Sequence, residues 1–479
     1  MGKLKTIAKD TAIYGLSSII GRFLNYLLVP LYTAQLSAAS GGYGVITNMY
    51  AYVALILVIL TFGMETTYFR FTNKTHTDSN VVYSTTLITV GSLSALFAAL
   101  VMIFITPLSR VMGYGNHPEY VWVMALTVAI DAFLCIPFAH LRQEKKAIKF
   151  AALKLLNIVV SILLNVIYFA WMDGKEVGYA FYINLLCTVM LALCLITEYT
   201  GFRWVFDRKL LCSMLSYSWP ILILGVAGIL NQTADKMLFP YIYKGSDMLE
   251  QLGIYGACSK IAMIMAMITQ AFRFAYEPIV FSGVKDKDQH EMYEQAMKYF
   301  IIFTLLAFLI VVGYLDILKY IVRNPDYWVG LKVVPIVMAA EIMMGIYFNL
   351  SFWYKLIDKT IWGAWFSGIG CAVLVAVNFF FVPKYGFMAC AWGGFAGYGV
   401  AMVTSYFVGQ KYYPLDYPLK DIFLYIVLAA LAFVVMMMLR ESQPLWLSLT
   451  VNTLLILAFL MFIIKRDLPL NRLPFIKRK

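Results

Sequence analysis

The chain has 479 residues, of which 62% are hydrophobic and only 13% are charged. Because a soluble domain carries about 25% charged residues, this composition excludes an ordinary water-soluble fold and predicts an integral membrane protein. The net charge of +12 does not indicate a nucleic-acid partner, since Lys and Arg accumulate in the cytoplasmic loops of membrane proteins.

Apolar segments long enough to cross a bilayer, which takes about 20 residues, follow one another along the whole chain. We predict about fourteen transmembrane helices, at 11–36, 44–67, 84–108, 119–140, 148–171, 177–197, 214–242, 253–281, 298–322, 331–354, 360–382, 387–409, 421–439 and 445–464. The connections are too short for a soluble catalytic domain, and the sequence has no phosphate-binding loop motif. We therefore expect no enzymatic activity.

The distribution of basic residues predicts the orientation of these helices. Most of the 38 Lys and Arg fall in segments that are cytoplasmic if the N-terminus is inside, including the basic runs at 142–149 and 472–479. Positive charge is retained on the cytoplasmic side, and an even number of spans brings both termini to one side. We predict that both termini are cytoplasmic.

The seven Cys and four His residues form no metal-binding pattern. The Cys residues lie mostly in apolar runs without a CxxC pair, and the His residues are scattered along the chain. We expect neither a metal site nor a cofactor.

Two stretches of the chain share short motifs at nearly constant spacing. The pair Tyr43-Gly44 in predicted helix 2 matches Tyr255-Gly256 in predicted helix 8. Further matches are Phe62 with Phe274, Glu65 with Glu277, Phe69 with Phe281, and Pro118-Glu119-Tyr120 with Pro325-Asp326-Tyr327. Because the matches occur in the same order, we infer an internal repeat.

The repeat predicts the domain organisation. It gives two six-helix lobes, 1–205 and 206–412, followed by residues 413–479 with two extra transmembrane helices and a basic cytoplasmic tail. Each repeat has an even number of spans, so we expect the two copies to be related by a rotation about the membrane normal. This all-α arrangement, with two lobes around a central cavity, suits alternating access.

Charged residues inside predicted spans are the first candidates for a functional site, because a charge at mid-membrane costs at least about 2.5–3.5 kcal/mol on insertion scales. Arg22 in helix 1 and Arg273 in helix 8 are suited to bind phosphate through their planar guanidinium groups. The structural alternatives are a salt bridge between helices for Arg22 and an intrahelical pair with Glu277 for Arg273. Asn25 is a further substrate-binding candidate, although intramembrane Asn residues more often bridge helices.

Three acids and one Lys complete the set of candidates. Asp235 and Lys236 are adjacent in helix 7, where Lys236 could bind an anionic substrate or extend to the membrane interface. Asp131 and Glu341 are isolated acids at repeat-related positions. Each could carry a coupling proton or sodium ion, or could be an ion-pair partner for Arg22 or Lys332.

Short motifs distributed over residues 5–410 are together specific for one family. They are Tyr14-Gly15, Arg22, Leu27 to Thr33, Tyr43-Gly44, Phe69-Arg70-Phe71, Asp235-Lys236, Gly253 to Tyr255, Pro278, Lys359-Thr360, Asn378, Pro383 and Gly386. This set resembles the bacterial polysaccharide and O-antigen flippases of the Wzx type. That family belongs to the multidrug, oligosaccharidyl-lipid and polysaccharide exporter superfamily.

The resemblance implies a function and a location. Such proteins move undecaprenyl-diphosphate-linked oligosaccharides, the precursors of polysaccharide or lipopolysaccharide, across the bacterial cytoplasmic (inner) membrane. The sugar and diphosphate cross a polar cavity while the lipid tail stays in the bilayer. The implied partners are the lipid-linked oligosaccharide, a coupling proton or sodium ion, membrane lipids, and a polysaccharide polymerase with glycosyltransferases of the same pathway.

Three other functions compete with this interpretation. A cation-coupled multidrug exporter of the same superfamily usually has twelve helices, so the extra pair and Arg22 count against it. A membrane-embedded glycosyltransferase or polymerase would need a large periplasmic loop, which the sequence lacks. A structural scaffold of an export complex would not need charged residues within several spans.

The predicted topology can be tested with reporter fusions. Fusions at Lys175, Lys244 and Arg440 should report the periplasm, and a fusion at Lys146 should report the cytoplasm. A periplasmic signal after Lys479 would contradict the fourteen-span arrangement.

Overall fold

The computed structural model describes residues 26–74, 78–196, 198, 205–280, 286–357, 359 and 361–467. Within these ranges the chain is helical and contains no β-strand. Twelve helical segments there are long and apolar enough to cross a membrane. The shorter apolar helix Gly178–Cys194 and Leu28–Gln35, which lies within the predicted first span, bring the number to fourteen. The chain is an all-α, multi-pass membrane protein, as its composition predicts.

The helices are numbered in chain order. They are α1 Leu28–Gln35, α2 Gly42–Thr61, α3 Met64–Lys74, α4 Ser79–Ile103, α5 Ile105–Val111, α6 Pro118–Gln143, α7 Ala147–Val166, α8 Gly178–Cys194, α9 Arg208–Ile242, α10 Met248–Val280, α11 Asp286–Gly313, α12 Leu315–Leu318, α13 Val334–Leu350, α14 Phe352–Leu356, α15 Ile361–Tyr385, α16 Phe387–Tyr412, α17 Leu419–Ser442 and α18 Leu445–Arg466. A 3-10 segment, Pro325–Val333, leads into α13.

Two compact units contain these helices. The first comprises the described residues of Met1–Ala257 and Leu374–Cys390, and the second those of Cys258–Val373 and Ala391–Lys479. The lobes 1–205 and 206–412 inferred from the repeat remain a prediction.

Capping side chains determine where two long helices of the first unit begin. Asp78 caps α4 by accepting a hydrogen bond from the backbone N–H of Asn80 at 3.0 Å. Asp207 caps α9 by accepting from the N–H groups of Lys209 at 2.9 Å and Leu210 at 3.1 Å. An Asp at this position satisfies N–H groups that have no partner within the helix. This cap explains why α9 begins at Arg208, before the apolar segment that we predicted from 214.

Helix α6 is the centre of the first unit. It packs against α2, α4 and α8, and most of its apolar segment is buried, whereas very little of α7 is fully buried. Small and branched residues on α6, including Val128, Ala132 and Ile136, are fully buried in these contacts. An apolar helix that is exposed in the isolated chain is expected to face lipid. Thus α6 is a core helix and α7 a peripheral one.

Ion pairs join helix ends on the predicted cytoplasmic side of the first unit. Arg142 at the end of α6 pairs with Glu65 of α3, and its guanidinium carbon lies 4.8 Å from the ring centroid of Phe69. Lys149 and Lys146 both donate to the buried carboxylate of Glu198. Burial alone would raise the pKa of Glu198, but the hydrogen bonds and charges of the two Lys residues outweigh it and lower that pKa.

In the second unit, charged groups attach the C-terminal pair α17 and α18 to α11 at one end and to the adjoining α12 at the other. At the predicted cytoplasmic end, Lys298 Nζ lies 2.9 Å from Asp421 Oδ2 and 2.5 Å from Asp467 Oδ1. At the opposite end, Arg440 donates two hydrogen bonds of 3.1 Å to Asp316. Between them, Asn452 Nδ2 donates to the carbonyl of Gly313 at 2.8 Å. The extra helices are therefore an integral part of this unit.

We predict that Lys298→Met lowers the apparent melting temperature of the purified protein. The side chain of Lys298 is only 14% exposed and that of Asp467 only 9%, and removal of one partner leaves a largely buried carboxylate without its cation. We expect a loss of about 1–3 kcal/mol, below the roughly 3–5 kcal/mol of a fully buried pair.

Lys175→Met is the matched control for this experiment. Lys175 pairs with Asp173 at 3.6 Å, and both side chains are 70% exposed. An exposed pair contributes little to stability. Equal melting temperatures for the two variants would contradict the role assigned to Lys298.

Candidate functional site

Helices α2 and α10, which carry the two matching Tyr-Gly motifs, meet in the first unit, at the end of the helices that is predicted to face the periplasm. A Cβ atom added to Gly44 of α2 would lie 2.0 Å from the carbonyl oxygen of Leu249 in α10. A Cβ atom on Gly253 would lie 2.9 Å from the backbone nitrogen of Gly44, and one on Gly256 would lie 2.1 Å from Thr47 Oγ1. Small residues allow such close approach of helix backbones. We call the contact of Gly44 and Thr47 in α2 with Leu249, Gly253 and Gly256 in α10 the outer glycine contact.

Asn48 connects α2 to two other elements beside this contact. Its side chain is fully buried. Its Nδ2 donates to the carbonyl of Lys236 in α9 at 2.9 Å, and its Oδ1 accepts from the hydroxyl of Tyr114 at 2.8 Å. Because both ends of the amide are satisfied, Asn48 fixes α2, α9 and the connection between α5 and α6 relative to each other.

The adjacent Asp235 and Lys236 form one polar group with Tyr255 of α10. Lys236 Nζ lies 3.1 Å from Asp235 Oδ1 and donates to the carbonyl of Gln232 at 3.0 Å. Tyr255 donates its hydroxyl hydrogen to Asp235 Oδ2 at 2.6 Å. The Asp235 side chain is 6% exposed and that of Lys236 is 23% exposed. The ammonium is therefore the more accessible member of a pair whose carboxylate is buried.

Tyr255 belongs to the motif of the predicted repeat, but its hydrogen bond to Asp235 was not predicted from the sequence. The two residues lie twenty positions apart on separate helices, so helical spacing gave no signal for this hydrogen bond. The hydroxyl of Tyr255 connects the repeated motif directly to the charged pair.

A second polar network lies in the connection between α9 and α10. Gln251 donates to Asp247 Oδ2 at 2.8 Å and to the Tyr243 hydroxyl oxygen at 3.1 Å. Its own Oε1 accepts from the N–H of Phe387, which follows the turn between α15 and α16, at 3.4 Å. The hydrogen bond from Gln251, with a further one from Tyr243, lowers the pKa of Asp247 despite partial burial. This network fixes a second connection on the same side of the unit.

Asp131 is held by neighbouring helices of the first unit. Its Oδ1 accepts from the Thr188 hydroxyl of α8 at 3.3 Å. Lys154 of α7 is the cation whose charge acts on Asp131, and its ammonium lies 4.0 Å from the ring centroid of Phe138. The cationic partners predicted from the sequence were Arg22 or Lys332, and Lys154 was not among them.

Arg273 and Glu341 belong to the second unit. The guanidinium carbon of Arg273, on α10, lies 4.3 Å from the ring centroid of Phe348 on α13, within the range of a cation–π interaction. Glu341 is half-buried on α13. Both side chains also take part in other polar or electrostatic interactions.

For the other predicted site residues, the whole residue or its side chain lies outside the part of the chain that the structure describes. Arg22 and Asn25 precede the first described residue. Glu277 lies on α10 one turn after Arg273, but its side chain is outside the described part. Among the described candidates, the adjacent residues Asp235 and Lys236 form an ion pair with each other, and Tyr255 is brought to this pair from another helix.

Comparisons with known proteins agree with this architecture. The model of a family described as "polysaccharide biosynthesis protein" matches residues 39–323. A comparison with curated proteins finds no match.

Solved structures with a similar fold include flippases and transporters. One is "Lipid II flippase MurJ, inward closed conformation", with a TM-score of 0.74 and 14% identity over 94% of this chain and 98% of that chain. Another is an inward-facing multidrug resistance MATE family transporter of the MOP superfamily, with a TM-score of 0.66 and 14% identity over 82% of this chain and 94% of that chain. A third is a Vibrio cholerae MATE transporter, with a TM-score of 0.57 and 13% identity over 86% of this chain and 98% of that chain.

At these identities the structural comparisons show the fold alone, which this chain shares with the flippase and the transporters named above. The sequence model covers more than half of the chain and shows the family. This chain belongs to the polysaccharide biosynthesis protein family, and the family resemblance identified from its motifs is confirmed.

Proposed function

We propose that this chain is a flippase that moves undecaprenyl-diphosphate-linked oligosaccharide, a precursor of polysaccharide or lipopolysaccharide such as O-antigen, across the bacterial cytoplasmic membrane by alternating access. Both termini are cytoplasmic in this proposal. The observation that carries it is the outer glycine contact, where α2 and α10, the helices that carry the matching Tyr-Gly motifs of the predicted repeat, approach closely at glycines. Family membership supports the polysaccharide part of the proposal, and the fold supports the transport part.

Alternating access requires a contact that closes one end of a pathway and can separate. The outer glycine contact has this character because glycines and the small side chain of Thr47 meet a neighbouring helix there, with few large side chains to separate. Polar groups adjoin it, including Asn48 and the Asp235–Lys236 pair, so separation would expose hydrogen-bonding groups rather than an apolar surface. A sugar diphosphate needs such a polar route, since charge in hydrocarbon is costly.

The proposed substrate contacts are Arg22, Arg273, Lys236 and Asn25. A diphosphate carries at least two negative charges, and bidentate contacts from Arg fit its oxygen atoms better than the point charge of Lys. Lys236 would supply the accessible ammonium described above. The acids Asp235 and Glu277, next to these cations in sequence, would limit the strength of binding so that substrate can be released.

The proposed coupling residues are Asp131 and Glu341, which would carry a proton or a sodium ion. Asp131 accepts a hydrogen bond from Thr188 and lies near the charge of Lys154. Both interactions depend on the negative charge of its carboxylate, so binding of a proton or a sodium ion would weaken them and allow the helices to rearrange. A polysaccharide polymerase and glycosyltransferases are the proposed pathway partners, because they would consume and supply the lipid-linked substrate.

A cation-coupled multidrug exporter is the alternative function, favoured by the structural similarity to MATE family transporters. The attachment of α17 and α18 to α11 argues against it, because a twelve-helix exporter lacks this pair. Transport of drugs without any effect on polysaccharide would favour the alternative.

We predict that Arg22→Ala abolishes surface polysaccharide in a cell that depends on this chain, and that Arg22→Lys impairs it although the charge is kept. The physical reason is the loss of the bidentate guanidinium contact with phosphate. Surface polysaccharide should be measured together with the amount of protein in the membrane. Arg110→Ala is the control, because Arg110 is an exposed residue at the end of α5. Normal polysaccharide in Arg22→Ala would contradict the assignment.

We also predict that Gly44→Ala strongly reduces flipping and that Gly228→Ala does not. In Gly44→Ala the new Cβ meets a backbone oxygen at 2.0 Å, so a helix must shift at a cost of about 1–3 kcal/mol. At Gly228 a Cβ meets no atom within 4 Å, and Ala favours a helix over Gly by about 1 kcal/mol. Flipping rate and apparent melting temperature should be measured for both variants. Indistinguishable variants would show that the outer glycine contact is not required.

A further inference from the structure

An aromatic cavity lies in the second unit, at the end of the helices that is predicted to face the cytoplasm. Its walls come from α10, α11, the junction of α13 and α14, and the non-helical segment after α16. The lining residues are Tyr276, Tyr293, Met297, Asn349, Phe352, Trp353, Tyr413, Leu415 and Tyr417. All nine are uncharged, so the cavity is suited to a neutral ligand.

Three side chains of this cavity have buried polar atoms without a hydrogen-bond partner among the described residues. They are the hydroxyl of Tyr276, the indole N–H of Trp353, and both Oδ1 and Nδ2 of Asn349. Tyr276 and Asn349 are each 8% exposed and Trp353 is 4% exposed. A buried polar group without a partner costs about 1–3 kcal/mol, so several in one cavity indicate a ligand that satisfies them.

The size and chemistry of the cavity define that ligand. Its volume is about 10 Å³, close to the roughly 10–15 Å³ needed for a single water molecule. The indole N–H donates only, the amide oxygen of Asn349 accepts only, and a phenol hydroxyl does both. These donors and acceptors can all be satisfied by one oxygen atom that both donates and accepts hydrogen bonds. A hydroxyl group or a water molecule supplies such an oxygen.

The surrounding rings fix the cavity wall. Phe352 lies edge-on to Tyr276, with ring centroids 5.5 Å apart, and stacks with Tyr293 at 6.4 Å. The helix is interrupted at Ser351, between α13 and α14, next to Asn349. Interrupted helices in membrane proteins are tolerated where the backbone lines a cavity or is buried in protein.

We propose that this cavity is a binding site for one neutral hydroxyl group, supplied either by a water molecule or by a sugar of the transported substrate. The sugar source rests on the proposed function and requires the wall to open further, because the cavity as it stands admits a single oxygen. The water source is independent of transport. In both cases Asn349, Tyr276 and Trp353 are the ligands.

The first experiment measures the apparent melting temperature of Asn349→Leu and Tyr276→Phe in detergent. If a hydroxyl group is bound, removing one ligand leaves the other polar atoms unsatisfied, and we expect a fall of about 1–4 °C in each variant. If no ligand is bound, an apolar side chain of similar size removes a buried unsatisfied group. The melting temperature of Asn349→Leu would then rise, and the proposal would be overturned.

Asn378→Leu is the matched control. The Asn378 side chain is 1% exposed, and both its amide atoms also lack a partner among the described residues, but it is not one of the residues that line this cavity. We expect no fall in its melting temperature. An equal fall in Asn378→Leu would show a general effect of replacing a buried amide and would overturn the proposal.

The second experiment distinguishes the two sources of the hydroxyl group. Methyl glycosides are titrated while the fluorescence contributed by Trp353 is measured, with Trp353→Phe giving the background. Saturable quenching that is lost in Asn349→Leu supports a sugar hydroxyl. A fall in melting temperature without quenching, with an ordered water beside Asn349 in a high-resolution map, supports water. Since stability is measured without transport, the cavity site and the proposed flippase activity can fail independently.

Discussion

The cost of placing charge in hydrocarbon is the constraint on which the rest of this structure depends. At least a few kcal/mol is lost for each uncompensated charge near mid-membrane, and the described helices compensate by pairing. Asp235 is neutralised by Lys236 and accepts a hydrogen bond from Tyr255, and Arg273 lies over the ring of Phe348. The contacts of Asp235 with Tyr255 and of Arg273 with Phe348 join different helices of one unit, so the same groups that avoid the penalty also hold helices together within each unit.

Close backbone contact complements this charge pairing. Without a hydrophobic force between helices in lipid, association depends on packing and polar contacts. The outer glycine contact supplies the packing, and the hydrogen bonds of Asn48 supply the polar contacts. Asn48 lies one turn after Gly44 on α2. A contact of this kind has little side-chain interlocking to undo, which is why we connect it with the opening step of a transport cycle. The ion pairs that attach α17 and α18 to α11 have the opposite character and should stay closed.

The architecture could be predicted from the sequence because it depends on local composition. Long apolar runs determine the spans, and an isolated charge within a run is visible without a structure. The interaction partners of these charged side chains could not be predicted from local composition. The pairing of Lys298 with Asp467 joins residues 169 positions apart, and the interaction of Asp131 with Lys154 depends on how three helices pack. The start of α9 was predicted six residues too late, because hydropathy measures apolar character and cannot identify Asp207 as a helix cap. The cavity at Asn349 was missed because it requires residues from five segments to converge.

We propose that this chain moves a lipid-linked oligosaccharide, and reconstitution of the purified protein is the direct test of that activity. Proteoliposomes would carry a fluorescent undecaprenyl-diphosphate oligosaccharide, and a membrane-impermeant reagent would quench the label in the outer leaflet. The account predicts that wild-type protein makes nearly all of the label accessible to the reagent, whereas protein-free vesicles leave about half protected. Protection that is unchanged by correctly inserted, folded protein, under every tested proton or sodium gradient, would contradict the account.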